Sequence, residues 1–337
     1  MIELLIGDCH FGTHTNKTLW LNTQIEFFEK QVYPLIDKVD RIVFLGDLFD
    51  IRYSTNTQVG IEVKTIIRRM IAYNKPVIIV AGNHDYYSPL KNLDYYNVYD
   101  LVFGSEFERC YNNLFIVKDK PLYIDDSLFL PWYYTEEEDL WKSVCDTYKG
   151  YVKTIYCHSD LSQWGNERLE SIGYPQVYSG HIHYPWSNKE LKLNNIGAIM
   201  SFNFSDANSD RYIYIVENSI FVEKIKNITT PKFKRYLNEQ IFNITTEDTK
   251  NNYIELYISN DNINKARYIE RIAFIKCNYE YFDINIRCIA NIDEYEQLTP
   301  VKFDTNIDTY IEENIPDHLK DKFELVKQKI KNDTTCI

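Results

Sequence analysis

Several features of common protein classes are missing from this 337-residue sequence. Its seven cysteines form no Cys-x-x-Cys pair and are odd in number, which favours reduced thiols over a disulfide framework. No uninterrupted apolar run approaches the roughly 20 residues that span a membrane. The N-terminus has no basic segment before its first apolar run, so we do not expect a signal peptide. These absences predict a cytoplasmic protein without a membrane segment.

Positive charge is also scarce. Lysine and arginine number 37 against 49 acidic residues, which gives a net charge of −12. This balance disfavours a protein that is held to nucleic acid by bulk electrostatics, but it leaves room for local basic patches or a metal-mediated grip on phosphate. Hydrophobic residues make up 45% of the chain, enough to fill a core, and its length favours two domains or one domain with a substantial appendage.

Five apolar runs end in polar turns of similar composition. The first three are Ile2–Ile6, Ile42–Leu45 and Val77–Val80, and the turns after them read Gly7-Asp8-Cys9-His10, Gly46-Asp47-Leu48-Phe49-Asp50 and Gly82-Asn83-His84-Asp85. Two later runs lead into His158 and into Gly180-His181-Ile182-His183. A short apolar run that stops at a turn signal predicts a buried strand. We therefore expect strand ends that direct their polar side chains at one ion site.

The segments between these runs predict a layered α/β fold. Apolar residues at helical spacing predict helices over residues 19–39 and 58–73, which alternate with the first three strands. This alternation favours a largely parallel sheet covered by helices, with right-handed crossovers. Further predicted elements are short strands over 114–117, 122–124 and 128–131, a helix over 136–148, and antiparallel strands over 195–200, 211–216 and 220–225.

Seven side chains in the polar turns are candidate metal ligands: Asp8, His10, Asp47, Asn83, His158, His181 and His183. Seven donors are too many for one ion with open positions, but they suit two ions that share a carboxylate. Two ions about 3.5–4 Å apart can activate a water and clamp the oxygens of a phosphoryl group. Oxygen and imidazole donors without a thiolate favour manganese, iron or zinc in a catalytic site.

In this order, the five motifs resemble those of the calcineurin-like metallophosphoesterases. The serine/threonine phosphatases of that family have Asp-Arg-Gly after the second motif and Glu after Gly-Asn-His, whereas this chain has Asp50-Ile51-Arg52 and Asp85. With Leu130-Pro131-Trp132, Asn195-Ile196-Gly197 and Ser209-Asp210-Arg211, the chain is similar to SbcD-type double-strand-break nucleases, including the recombination endonuclease subunits of T-even-like bacteriophages. The resemblance implies a four-layer α/β/β/α sandwich with a small α+β capping domain and C-terminal helices.

The resemblance also implies a role for each site residue. One ion would be held by Asp8, His10 and His183, the other by Asn83, His158 and His181, with Asp47 bridging both. His84 would face the substrate, where an imidazole with an ordinary pKa near 6.5 can protonate the departing 3′ oxygen or stabilise the phosphorane. Asp50 occupies the position of the residue that orients His84, so His84 and Asp50 are the implied catalytic residues. For Asp50 and Asp85, hydrogen bonding that caps a turn is the alternative role.

Changes in pattern after the fifth motif predict three parts: a nuclease domain at 1–228, a capping and DNA-binding domain at 229–303, and a helical tail at 304–337. The basic stretch over 224–235 could contact phosphates or serve as a solvated linker. The tail has two amphipathic stripes around Pro316-Asp317. The resemblance implies that this tail docks on an SMC-like coiled-coil ATPase, and the alternative is that it packs on its own domain.

The resemblance implies a manganese-dependent DNA phosphodiesterase, both exonuclease and endonuclease, in a recombination and repair complex. The implied partners are DNA, the ATPase subunit and a second copy of the chain. The implied location is the cytoplasm, that of the host cell if the chain is encoded by a phage. Two other classes stay open: a metallophosphoesterase for phosphoproteins or small phosphodiesters, and a non-catalytic module that keeps the fold and binds a partner.

Overall fold

A computed structural model describes residues 1–50, 56–87, 97–207 and 209–289. Ile51, Arg52, residues 290–303 of the predicted capping domain and the whole predicted tail at 304–337 lie outside the described residues. Within the described residues, no helix is both long and apolar enough to cross a membrane.

The described residues contain fifteen strands, which are numbered in chain order. They are β1 Ile2–Ile6, β2 Arg41–Leu45, β3 Val77–Val80, β4 Leu114–Val117, β5 Leu122–Ile124, β6 Ser127–Phe129, β7 Thr154–His158, β8 Gln176–Gly180, β9 Trp186–Asn188, β10 Leu193–Asn195, β11 Tyr212–Glu217, β12 Ile220–Lys226, β13 Lys232–Leu237, β14 Asn252–Ser259 and β15 Asp283–Ile289. The longer helices, of seven residues or more, are Thr18–Phe27, Thr57–Ile71, Gly104–Cys110, Glu138–Tyr148, Asn166–Ile172 and Ala266–Asn278. Short helices and helical turns are Thr13–Asn16, Phe28–Val32, Tyr33–Ile36, Asn83–Asp85, Val98–Val102, Trp132–Glu136, Leu161–Gln163, Asn238–Asn243, Thr246–Thr249 and Asn260–Ile263.

Two six-stranded sheets form the main body. The first has the order β12-β11-β1-β2-β3-β4, and the second has the order β5-β6-β7-β8-β10-β9. In the first sheet, β1 to β4 are parallel and β11 and β12 are antiparallel additions at one edge. In the second sheet, β6, β7, β8 and β10 are parallel. The carboxyl ends of several strands therefore meet at one side of the body.

Burial follows from this layered arrangement. Residues of β1, β2 and β3 alternate between a cluster that they share with the second sheet and a cluster that they share with the outer helices. Both faces of these strands are covered, so nearly every position is apolar, as is typical of parallel strands inside a protein. A third cluster packs the second sheet on helices Glu138–Tyr148 and Asn166–Ile172. The predicted α/β/β/α sandwich is confirmed.

Several predicted elements differ in detail. The predicted helix over 19–39 is interrupted by a π-helical segment at Phe28–Val32. The predicted helix over 136–148 begins two residues later, at Glu138, after the short helix Trp132–Glu136. The predicted strand over 195–200 is wrong, because β10 ends at Asn195. After it, the backbone N–H groups of Ala198 and Ile199 donate to the carbonyl oxygens of His183 and Asp8. Most of the basic stretch over 224–235 belongs to β12 and β13, and its residues 227–231 connect these two strands.

A third, smaller sheet follows the sandwich, in line with the predicted α+β capping unit. Its three strands β13, β14 and β15 are parallel, with β14 in the centre. Apolar residues of β14 pack on helix Ala266–Asn278. The other side of the unit contacts the sandwich, where Phe282 lies edge-on to the buried Trp20 with ring centroids 4.9 Å apart and Lys17 Nζ lies 2.5 Å from Asp283 Oδ2.

Candidate metal centre

The polar turns meet because the strands that carry them are neighbours. Asp8, Asp47 and Asn83 follow β1, β2 and β3, which lie side by side and parallel. His158 ends β7 and His181 follows β8, in the facing sheet. Both sheets thus present the carboxyl ends of parallel strands to the same place, as the strand-and-turn pattern predicts.

Glycines make this close approach possible. A Cβ atom on Gly46 would lie 2.2 Å from Nδ1 of His158, and one on Gly180 would lie 2.2 Å from Oδ1 of Asp8. Gly46 also has φ of 94°, which side chains rarely tolerate. The side chains of the metal centre therefore occupy the space that the missing Cβ atoms leave.

Three of the candidate ligands have left-handed backbone angles themselves. The φ angles are 48° at His10, 46° at Asp47 and 82° at His181. Such angles cost of order 1–3 kcal/mol each for non-glycine residues and concentrate at functional sites, where the surrounding structure holds them. Strain at three positions of one cluster supports a functional role for that cluster.

One half of the centre is formed by Asp8, His10 and His183, which offer donor atoms within 4.8 Å of one another. The Nε2 atoms of His10 and His183 lie 3.1 Å apart. His183 donates its Nδ1 hydrogen to Oδ2 of the buried Asp206 at 2.8 Å, which leaves Nε2 as the nitrogen that faces the centre. A carboxylate that orients a histidine in this way is a common support for metal ligands.

The other half is formed by Asn83, His158 and His181. Oδ1 of Asn83 lies 2.9 Å from Nε2 of His158 and 3.0 Å from Nδ1 of His181. His158 is fully buried and donates its Nδ1 hydrogen to the carbonyl oxygen of Leu45 at 2.8 Å, so its Nε2 also faces the centre. Oδ2 of Asp47 lies 3.3 Å from His158 Nε2 and 3.7 Å from His10 Nε2, between the two halves.

The electrostatics of the centre favour added positive charge. Burial on its own would lower the pKa of His10, but the side chain of Asp50 and the charges of Asp47 and Asp8 outweigh it and raise that pKa to about 9. At His158, burial also lowers the pKa, but the charge and hydrogen bond of Asp47 outweigh it and raise that pKa to about 9. The same histidines hold the pKa of Asp47 below its usual range against the opposing effect of burial. Carboxylate, amide and imidazole donors with this preference for cations fit two divalent metal ions.

His84 lies at the rim of the centre. Its backbone N–H donates to Oδ1 of Asp47 at 2.8 Å, and its ring Nδ1 donates to the backbone carbonyl of Asp50 at 2.7 Å. The carboxylate of Asp50 instead lies 3.1 Å from Nδ1 of His10. Both residues line a cavity of about 380 Å³ together with His10 and His183. Asp50 therefore contacts His84 through its backbone and a candidate ligand through its side chain.

Arg211, from the Ser209-Asp210-Arg211 motif, and Asp206, which the sequence analysis did not identify, support the centre. Arg211 is buried and donates to the backbone carbonyls of His183 and Asp206. Asp206 also accepts the backbone N–H of Asn203 at 2.8 Å, so it fixes the loop as well as His183. Asp206 follows no strand and shares no spacing with the five motifs, so no local signal identifies it.

Asp85 binds the backbone of two polar turns. It is fully buried, and its carboxylate accepts hydrogen bonds from the backbone N–H of Gly82 at 2.9 Å, of Phe49 at 3.1 Å, and from the hydroxyl of Tyr99 at 2.7 Å. Burial and the neighbouring charge of Asp47 raise its pKa to about 7. This geometry is the turn-capping role that the sequence left open for Asp85.

Residues 4–185 match the calcineurin-like phosphoesterase family, so the chain belongs to that family of metal-dependent phosphoesterases. Two curated relatives are D subunits of the nuclease SbcCD. That of Staphylococcus epidermidis is 22% identical over 94% of this chain and 92% of its own length, and that of Staphylococcus saprophyticus is 24% identical over 63% of this chain and 64% of its own length. A solved structure of a hypothetical protein from Thermus thermophilus covers 67% of this chain and 98% of its own, with 11% identity and a TM-score of 0.40.

Proposed function

We propose that this chain is a DNA phosphodiesterase that uses two divalent metal ions, acting as exonuclease and endonuclease in a recombination and repair complex. The observation that carries the proposal is the convergence of seven donors and His84 at one set of strand ends. DNA as the substrate is supported by the similarity to the SbcCD nuclease relative from Staphylococcus epidermidis, which extends over most of both chains.

The proposed ligands are the predicted ones. Asp8, His10 and His183 would hold one ion, and Asn83, His158 and His181 the other. Asp47 would bridge them, because its carboxylate lies between Nε2 of His158 and Nε2 of His10. When bound, two such ions supply an activated water and neutralise the charge on the phosphoryl oxygens. Manganese is the proposed metal.

His84 is the proposed general acid. Its Nδ1 hydrogen is engaged by the carbonyl of Asp50, so Nε2 is the ring nitrogen that can carry a proton to and from the substrate. The ring lines the cavity beside His10, with centroids 4.9 Å apart, which places it next to the scissile phosphodiester in this proposal. Asp50 would position His84 through its backbone carbonyl and position His10 through its carboxylate.

Cleavage by the purified full chain tests this function. The substrates are linear duplex DNA, single-stranded DNA and a phosphopeptide, each with Mn²⁺ or with EDTA. We expect cleavage of DNA that disappears both in EDTA and in His84→Ala, which also controls for contaminating nucleases. Turnover of the phosphopeptide with DNA untouched would overturn the nuclease proposal and support a phosphoprotein phosphatase. Full Mn²⁺ binding without hydrolysis of any substrate, with or without the partner ATPase, would support a non-catalytic role.

A second experiment tests the proposed partner. We propose that residues 304–337 dock on an SMC-like ATPase, since the curated relatives are subunits of a nuclease complex. A chain that lacks residues 307–337 should keep metal-dependent cleavage and fail to co-purify with the ATPase. Association that survives the deletion would contradict this docking site.

A further inference from the structure

The two faces of the capping sheet differ in chemistry. Residues of β14 alternate, and Ile254, Leu256 and Ile258 face the small domain's own core. Tyr253, Glu255 and Tyr257 occupy the opposite face, and all three line a second cavity of about 330 Å³. This polar and aromatic face is turned away from helix Ala266–Asn278 and towards the sandwich.

Two arginines on this face share one carboxylate. Glu255 is buried, and its two oxygens lie 3.0 Å from Nε of Arg235 and 2.6 Å from Nε of Arg287. The hydroxyl of Tyr257 donates to the same carboxylate at 3.0 Å. Arg235 and Arg287 come from the two strands that flank β14, so three strands build the cluster. Two guanidinium groups against one carboxylate leave a local excess of positive charge in a chain whose net charge is −12.

The cluster has the geometry of an anion site. The guanidinium of Arg235 lies 3.9 Å over the ring of Phe204, which fixes its plane. The side chain of Arg287 is 56% exposed, so a ligand can reach it. Arg287 contacts Glu255 through Nε, and the terminal nitrogens of a guanidinium are the ones that pair with phosphate oxygens.

This second cavity adjoins the one at the metal centre. His14 and Asn203 line both cavities, so the two form neighbouring parts of one groove. His14 is held in this shared wall, where its ring stacks on Trp20 at 4.1 Å and its Nε2 donates to the carbonyl of Phe202 at 2.6 Å. A substrate whose scissile phosphate lies at the metal centre would therefore pass over His14 and Asn203 before it meets the arginines.

We propose that Arg287 binds a backbone phosphate of the substrate strand, beyond the phosphodiester that is cleaved, with the positive charge of Arg235 beside it. This inference rests on the proposed function and narrows the class of substrate. It requires a polynucleotide as the substrate, because a phosphopeptide or a small phosphodiester has no second phosphate to place at the capping sheet. Arg287 is a binding residue in this proposal and does not contact the reacting atoms.

Arg287→Gln tests the proposal, with Arg267→Gln as the matched control. Arg267 lies on helix Ala266–Asn278, its side chain is also 56% exposed, and it too is paired with a glutamate, Glu239. Each full-length variant is assayed with Mn²⁺ on a single-stranded 12-nucleotide DNA and on bis-p-nitrophenyl phosphate, a diester that fits the metal centre alone. We expect Arg287→Gln to lower the ratio of kcat/KM for DNA to kcat/KM for the small diester about tenfold, mainly through KM, and Arg267→Gln to leave it unchanged.

Salt dependence supplies a readout that a purely structural role would not change. The slope of log kcat/KM for the 12-nucleotide DNA against log salt concentration should become shallower by about 0.7 in Arg287→Gln, which is the loss of one phosphate contact on a single strand. If the wild type cleaves both substrates and Arg287→Gln changes neither the salt slope nor the ratio of kcat/KM values, this inference alone is overturned. A wild type that hydrolyses only the small diester would overturn the proposed function, and this inference with it.

Discussion

The sandwich and the capping unit both contain parallel strands covered by helices, yet they present their functional groups differently. In the sandwich, Asp8, Asp47 and Asn83 stand at the carboxyl ends of neighbouring strands. In the capping unit, Arg235 and Glu255 stand at paired positions within the sheet, on one face. Strand ends concentrate donors on a point, which suits an ion. A sheet face spreads them over a surface, which suits an extended ligand.

The largest expected effect comes from removing the side chain that both halves of the centre share. Asp47→Ala should lose both metal ions and slow cleavage by on the order of 10³-fold or more, because its carboxylate faces His158 and His10 and holds the backbone of His84. Calorimetric titration with Mn²⁺ checks this, with Asp37→Ala as the control on an exposed acid. Wild-type Mn²⁺ binding in Asp47→Ala would refute the bridging role.

The next largest effect is expected in a variant that loses catalysis and keeps metal binding. His84→Ala should keep both ions and lose about 10²–10⁴-fold in kcat, since in the proposed mechanism the ring donates a proton and is not a metal ligand. Parallel measurements of Mn²⁺ affinity and of DNA cleavage check both halves of the prediction. Turnover at the wild-type rate would remove His84 as the general acid, and a loss of metal would make it a ligand.

Changing a residue that orients a proposed ligand should weaken metal binding less than removing a ligand. Asp206→Asn keeps the size of the side chain but removes the charge that fixes His183 through Nδ1. We expect a 10–100-fold loss in affinity for one metal ion, visible as one weakened phase in a Mn²⁺ titration. The control is Asp210→Asn, an exposed acid four residues away that is paired with Lys226. Equal effects of the two substitutions would contradict a specific role for Asp206.

The smallest expected effect is at the junction of the two regions. Lys17→Gln breaks the ion pair with Asp283, and we expect a loss of less than about 1 kcal/mol in the free energy of unfolding, because Lys17 is half exposed. Trp20→Leu should cost more, about 2–4 kcal/mol, since Trp20 is fully buried against His14 and Phe282. Chemical denaturation of both variants checks this order. A larger loss in Lys17→Gln would mean that charge, and not apolar packing, holds the capping unit.

The difference between side chains that converge at strand ends and side chains spread over a sheet face also explains which sites the sequence could predict. The proposed ligands of the metal centre lie at strand ends or within four residues after them, so Gly-Asp and Gly-Asn-His are visible as short patterns. The layered fold follows from the alternation of strands and helices. The cluster around Glu255 draws on residues 235, 255 and 287, one from each of three strands, and no spacing along the chain connects them. Asp206 is hidden for the same reason, since its contact with His183 spans 23 residues of loop and strand. The left-handed angle of Asp47 depends on packing that no local pattern encodes.

The carboxylate of Asp85 binds Gly82 in one polar turn and Phe49 in another, and so it joins the turns that carry Asn83 and Asp47 into a single unit. Surface turns of most proteins exchange their amide hydrogens through small local openings. Here the amides of Gly82 and Phe49 cannot open without breaking bonds to a side chain that is itself buried and bonded to Tyr99. Their hydrogens should therefore exchange as slowly as those of β2 and β3, on the timescale of unfolding of the sandwich.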